Sequence, residues 1–275
     1  MTVANYKGLS ILQIKIETII LNKKLLIFTF TKKLHPMETT EFRNPTTYQP
    51  LIEVTDDTRA AFYRKTYVHV AIATLLFIII ETILLRIDPL VEVMLSLTQG
   101  WKWLLVLGGF MFATNYAEKL AHTTHDKTKQ YLALFLFVLA EAIIFVTLLY
   151  IAIYYMEGDY FSVINQAAIM TLALFTGLSA VVLITKKDFS FLRSFLAIGF
   201  VIAIGAVIAG MIFGFNLGLV FSAGMIILAA GTILYQTSQL VHKYSTDQYV
   251  GASLGLFASL MLLFWYILSI FMSND

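Results

Sequence analysis

The chain has 275 residues, 59% of them hydrophobic and only 13% charged, with a formal net charge of +2 and no cysteine. A soluble domain carries about 45–50% apolar and about 25% charged residues, so this much apolar surface cannot be hidden in one soluble core, and the same hydrophobicity excludes disorder. The missing cysteines exclude a disulfide scaffold, a thiol nucleophile, an iron–sulfur site and a thiolate zinc site, and the small net charge gives no reason to expect a nucleic-acid partner.

The first 36 residues stand apart. Ile19–Phe30 is apolar but interrupted by Asn22, Lys23 and Lys24; it is too short to span a bilayer and lacks a small-residue cleavage site. We expect Met37 to be the physiological start, opening the polar leader Met37-Glu38-Thr39-Thr40-Glu41; the alternative is a loosely structured arm on the membrane surface. Residues 1–61 then form a cytoplasmic tail and residues 62–275 one membrane domain, with no linker long enough to hold a soluble one.

A helix needs roughly 20 apolar residues to cross the hydrocarbon core. Seven stretches qualify: Thr66–Leu85, Trp101–Ala117, Gln130–Tyr154, Phe161–Thr185, Phe191–Phe213, Leu217–Tyr235 and Val250–Phe271. Helices are required because lipid cannot satisfy open backbone groups. Between the first two, Asp88–Gly100 carries Leu90, Val91, Met94, Leu95 and Leu97; it reads either as an amphipathic helix on the outer face or as an extension of the first span. The fourth and fifth spans meet at Lys186-Lys187-Asp188 and the fifth and sixth at Gly214-Phe215-Asn216, so sequential helices are antiparallel neighbours. The expected fold is all-α, a bundle of seven transmembrane helices.

Lysine and arginine set the orientation. The tail and the 2–3, 4–5 and 6–7 connections hold 17 of the 19; Arg86 and Lys102 alone lie on the other side. Without the first 36 residues the ratio is still eleven to two. The N-terminus is therefore expected in the cytoplasm and the C-terminus outside, with Trp101, Trp103, Tyr154, Tyr155 and Tyr249 in the aromatic belts. Short connections and the absence of a targeting segment favour a bacterial plasma membrane.

Two carboxylates fall inside spans. Glu141 lies about eleven residues into the third, about 16 Å deep at 1.5 Å per residue. Glu81 lies in the outer half of the first, where it either snorkels or pairs with Arg86. An acid near a helix centre is expensive in a bilayer, so each faces protein or water, or is protonated. Both are candidate proton switches or steps in an ion path; the plainer alternative is a neutral acid bonded to a neighbouring helix. His69, one turn inside the first span, reads as an interfacial histidine near Lys65 and Tyr67 or as a pH-sensitive group. His122, His125 and Asp126 share the 2–3 connection, where a solvated loop is favoured over a metal site. Gly251, Gly255 and Ser259, four residues apart, form a small-residue stripe that lets backbones approach closely; Gly214, Gly218 and Ser222 repeat the spacing at the start of the sixth span. No phosphate-binding glycine loop, HExxH or nucleophile signature is present, so neither an enzyme nor a cofactor is expected. A retinal protein is disfavoured because the seventh span contains no lysine.

Phe62-Tyr63-Arg64-Lys65-Thr66-Tyr67-Val68-His69 resembles the motif that leads into the first helix of the Bax inhibitor-1 family, the transmembrane Bax-inhibitor-motif proteins. Ala140-Glu141-Ala142-Ile143 resembles that family's third-helix motif, and Thr185 to Leu192 its 4–5 loop. Ile233 to Gln239 resembles the end of its sixth helix, and Asp247 to Phe264 its seventh. The likeness covers about Phe62 to Met272; the 4–5 loop and the region of helices six and seven are its most specific parts. It implies a bundle with the seventh helix central, and a calcium leak gated by two aspartates, at the end of helix six and in helix seven, that share a proton. This sequence departs at both: Gln236 and Ser259 stand there, with no charge to titrate. They can hydrogen-bond to each other across the helices, and a calcium ion on the Gln236 carbonyl would be held weakly. Asp247 lies in the 6–7 connection and replaces neither.

Two functions follow as expectations. One is a leak for calcium, protons or another cation, with any surviving pH response on Glu141; the sequence leans this way. The other is a non-conducting regulator that binds another membrane protein, in protein quality control, stress or cell-death regulation. Fold alone decides between them no better than for any other family.

Overall fold

The computed structural model describes residues 55–98, 101–123, 126–154, 160–214 and 217–273. Among them are eight helices: α1 (Asp56–Leu84), α2 (Asp88–Leu97), α3 (Lys102–Thr123), α4 (Lys127–Tyr154), α5 (Tyr160–Thr185), α6 (Leu192–Phe213), α7 (Gly218–His242) and α8 (Tyr249–Met272). The residues before Thr55, including the Met37 leader, lie outside the described residues.

Helix α1 begins at Asp56, ten residues before the apolar stretch. Thr55 caps it by accepting the Thr58 amide at 3.4 Å, and Asp56 and Asp57 put negative charge on the first turn. Hydropathy marks only what lipid covers, not where hydrogen bonding stops. The same reason carries α3 six residues past Ala117 and α7 seven past Tyr235. His122, expected in a connection, and Gln236 are therefore both helical.

Helix α1 stops at Leu84, and Pro89 stands in the first turn of the next helix, where its missing N–H does no harm. Asp88–Leu97 is thus a helix of its own rather than an extension of α1. Its Val91 and Met94 are buried with Val146 of α4, while Glu92 and Val93 are exposed. It meets α3 at 110°. Six of the described helices are long and apolar enough to cross a bilayer; α3, diluted by Thr114, Asn115, Glu118 and Lys119, reaches that level only when taken with α2 as one bent span.

Helix α6 ends in Gly214, whose left-handed φ of 72° turns its amide onto the Gly210 carbonyl at 2.8 Å. Gly218 has φ 60°, and nothing lies within 4 Å of where a Cβ would sit on either glycine. They shape the α6–α7 turn; the second small-residue stripe expected there does not form a packing face.

At the centre is α8, which packs against α1, α3, α4, α5 and α7. Val250 through Phe257 are buried without interruption. Around it, Phe77 meets Phe145 edge-on at 5.2 Å between ring centroids, Phe145 meets Trp265 at 4.9 Å, and Phe137 meets Phe257 at 6.3 Å. The fold is an all-α membrane bundle with its last described helix in the middle.

Candidate functional site

The seam between α7 and α8 holds the positions of the expected aspartate pair. A Cβ on Gly255 would lie 3.0 Å from the Gln236 side-chain Oε1 and 3.2 Å from its Cδ. A Cβ here would press on the amide of a half-buried glutamine, which would have to shift by a few tenths of an ångström. Ser259, 2% exposed, donates to the Gly255 carbonyl one turn back on its own helix, at 3.0 Å. The hydrogen bond open to Gln236 and Ser259 is not made: Ser259 is satisfied within α8, and Gln236 lies against the glycine one turn away. One turn further toward the helix start, a Cβ on Gly251 would lie 3.2 Å from Nε2 of His122. Gly251 and Gly255 thus face α3 and α7 respectively.

The two carboxylates are on different helices. Glu141 on α4 is 7% exposed and Glu81 on α1 is 4% exposed. Both oxygens of Glu81 are buried without a hydrogen-bond partner. Glu81 therefore neither snorkels nor pairs with Arg86, which is exposed. Both acids lie inside helices long and apolar enough to cross a bilayer, where a carboxyl group is expensive. Another set of orphan groups lies across α1, α5 and α7. The Tyr67 hydroxyl faces those of Ser179 and Thr237, with no well-formed hydrogen bond among the three.

Near the ends of these helices the polar groups are paired. His69 hydrogen-bonds the Lys65 carbonyl through Nδ1 (2.7 Å) and the Tyr131 hydroxyl through Nε2 (3.0 Å). Lys127 stands 4.4 Å and Lys65 5.5 Å from the centre of the Tyr249 ring, and Lys127 also donates to the Asp247 carbonyl. His122 donates from Nδ1 to the Glu118 carbonyl at 2.8 Å and meets the Tyr244 hydroxyl with Nε2 at 3.1 Å. Burial pushes the Tyr244 phenol above its ordinary range. Asp126 accepts the Thr128 amide at 2.9 Å at the head of α4. Asp247 takes the Ser245 hydroxyl. His125 lies outside the described residues, and no group of three metal-ligating side chains occurs among those described.

The α5–α6 connection is fastened to the end of α7. Ser238 Oγ donates to Asp188 at 3.2 Å and accepts the Phe189 amide at 2.8 Å; Gln239 Nε2 donates to Ser190 Oγ at 3.1 Å. His242 places Nδ1 2.9 Å from the Ser238 carbonyl and Nε2 3.1 Å from the Lys186 carbonyl. The hydroxyl and amide of Ser190 hold the Asp188 carboxyl below the usual carboxylate range; slight burial opposes them, and Ser238 and His242 add to them. Sequence reasoning missed this clasp. Its signals were Asp188 two residues before Ser190, an Asx turn, and Ser238 four before His242 on one helix face.

A family model described as inhibitor of apoptosis-promoting Bax1 matches residues 59–275. An uncharacterized protein of Pseudomonas aeruginosa is 42% identical over 111 residues, 40% of this chain and 50% of the relative. The modulator of FtsH protease YccA of Escherichia coli is 36% identical over 124 residues, 44% of this chain and 56% of the relative. The Golgi anti-apoptotic protein of vaccinia virus is 32% identical over 109 residues, 39% of this chain and 46% of the relative. The chain spans about half the length of the curated relatives it matches.

Proposed function

Because the chain belongs to the Bax inhibitor-1 family, we propose that this multi-pass membrane protein is a non-enzymatic regulator that binds another membrane protein, a membrane-bound protease of the kind its Escherichia coli relative modulates. The observation that carries this reading is the α7–α8 seam. The positions matching the family's aspartates hold Gln236, packed on Gly255, and Ser259, bonded to its own helix. Neither can share a proton or bring charge to a calcium ion. Relatives in bacterial inner membranes support a bacterial plasma membrane, and the lysine and arginine bias supports a cytoplasmic N-terminus.

The test is reconstitution with FtsH in liposomes, reading the degradation rate of a membrane substrate. The regulator reading expects the rate to change several-fold with the chain present, and fails if the rate is unaffected by folded protein.

A second reading, a leak for protons or a cation, is favoured by Glu141 and Glu81, both buried inside the bundle, with both Glu81 oxygens left without a hydrogen-bond partner. Calcium flux from about pH 5.5 to 8, beside empty liposomes and Glu141→Gln, separates the two. The regulator reading expects no flux above empty liposomes. A protein-dependent flux whose pH response vanishes in Glu141→Gln would establish the leak, with its switch on α4.

A further inference from the structure

We propose that His242 is a proton-binding site whose imidazolium form fastens the α5–α6 connection to the end of α7. Nδ1 lies 2.9 Å from the Ser238 carbonyl oxygen and Nε2 lies 3.1 Å from the Lys186 carbonyl oxygen. A carbonyl oxygen only accepts. A neutral imidazole carries one N–H and one lone pair, so it satisfies one of these oxygens and points its lone pair at the other. Only the imidazolium, with two N–H donors, makes both bonds.

The other two described histidines show the contrast. His69 and His122 each put Nδ1 on a carbonyl one turn back, but each puts Nε2 on a tyrosine hydroxyl, Tyr131 or Tyr244. A hydroxyl donates or accepts, so those rings are satisfied when neutral. His242 has no such partner.

The setting bears on the charge from every side. Lys186 is the first residue past α5, and its left-handed φ of 51° presents its carbonyl at a helix C-terminus; His242 is itself in the last turn of α7. Both helix ends favour a cation. The Asp188 carboxylate is bonded to Ser238, the residue whose carbonyl takes Nδ1, and the attraction between Asp188 and His242 helps to keep that carboxyl ionised. Opposing charge comes from Lys186 and Lys187 in the connection and Lys243 just past α7, all exposed and screened by solvent; Arg193 stands at the head of α6, and the Tyr235 hydroxyl lies near it and Asp188. The proton is thus held by two carbonyls in direct contact and one nearby carboxylate. When it leaves, the ring keeps one N–H for two carbonyls; with that N–H on Nδ1, against the closer Ser238 oxygen, Nε2 parts from Lys186 and the connection keeps only its bonds to Ser238 and Gln239. The bond to Lys186 is made by the protonated ring and is lost with its proton. This reading stands independently of whether the protein regulates a protease or conducts ions.

Two measurements on the full chain in lipid nanodiscs test it. With 15N-labelled histidine, the ring of His242, assigned by its absence in His242→Gln, is expected to show two protonated nitrogens near pH 5.5, and to become neutral as the pH rises to about 8.5. A neutral ring at every pH in that range overturns the proposal. In the second, spin labels on Lys187→Cys and Lys243→Cys, free of background because the chain has no cysteine, report the distance across the clasp. One narrow distance is expected at pH 5.5, its population falling several-fold by pH 8.5. In His242→Gln, whose amide donates one bond at any pH, the change should disappear. Asp188 cannot imitate it, because its carboxyl titrates below this range. A distance that does not vary with pH, or the same variation in His242→Gln, refutes the assignment.

Discussion

Helices α6 and α8 are alike in sequence terms and opposite in place. Their most apolar windows have mean hydropathies of 2.7 and 2.2, yet 11% of the α6 window is buried within the protein against 61% for α8. In lipid, an apolar side chain gains little by leaving the bilayer for a protein neighbour, so hydrophobicity does not choose the centre. Small residues in register do. Gly251, Gly255 and Ser259 repeat at four and keep one stripe of α8 open to its neighbours. On α6, Gly199 and Gly210 return to the face that meets α7, where Gly199 lies against Leu228, but Gly205 falls between them and faces open space.

The largest test of that contrast is Gly255→Leu. Its side chain must displace the Gln236 amide from a seam with no room, and we expect a loss of about 3 kcal/mol or failure to fold, read by thermal unfolding in detergent. A milder probe is Gly255→Ala. Its Cβ at 3.0 Å from Gln236 Oε1 should cost about 1 kcal/mol, and most of that should return when Gln236→Ala is added, a double-mutant cycle that isolates the contact. An additive pair would mean that Gly255 is needed for another reason. Asp188→Asn should act less, through the clasp, and only with pH. Its carboxyl titrates below its unfolded value, so the ionised group stabilises the parent above the usual aspartate range and that contribution fades as the pH falls through the lowered value. The variant should lose this acid-side dependence in its melting curve. Smallest is Ile202→Ala on α6. Ile202 is 65% exposed, so the change should stay within about 0.5 kcal/mol; a loss several times larger would place a protein partner on that face.

The apolar stretches were legible because a bilayer imposes one demand on every spanning segment. Where helices ended was less so, since the first turns of α1 and the last of α3 and α7 lie beyond the apolar stretches. The glycine at 255 could be read as a place of close approach, but not that Gln236 would be what approached it. Glu81 could be read as buried or paired, and Arg86, five residues later in the next connection, made pairing attractive; the break before Pro89 leaves that arginine exposed. The clasp joins residues 49 and 50 apart in sequence, and nothing local in either motif announces the other.

The position of α8 bears on how the protein is made. All five of its neighbours precede it in the chain. As a ribosome feeds the helices into the membrane in order, α1, α3, α4, α5 and α7 are present before the element they surround. Until then the faces that α8 covers have no partner, and the contacts between α1 and α8 close across nearly the whole membrane domain. Such non-local closures come late. The nascent bundle therefore passes through a stage, set by translation itself, in which its walls stand and its middle is missing.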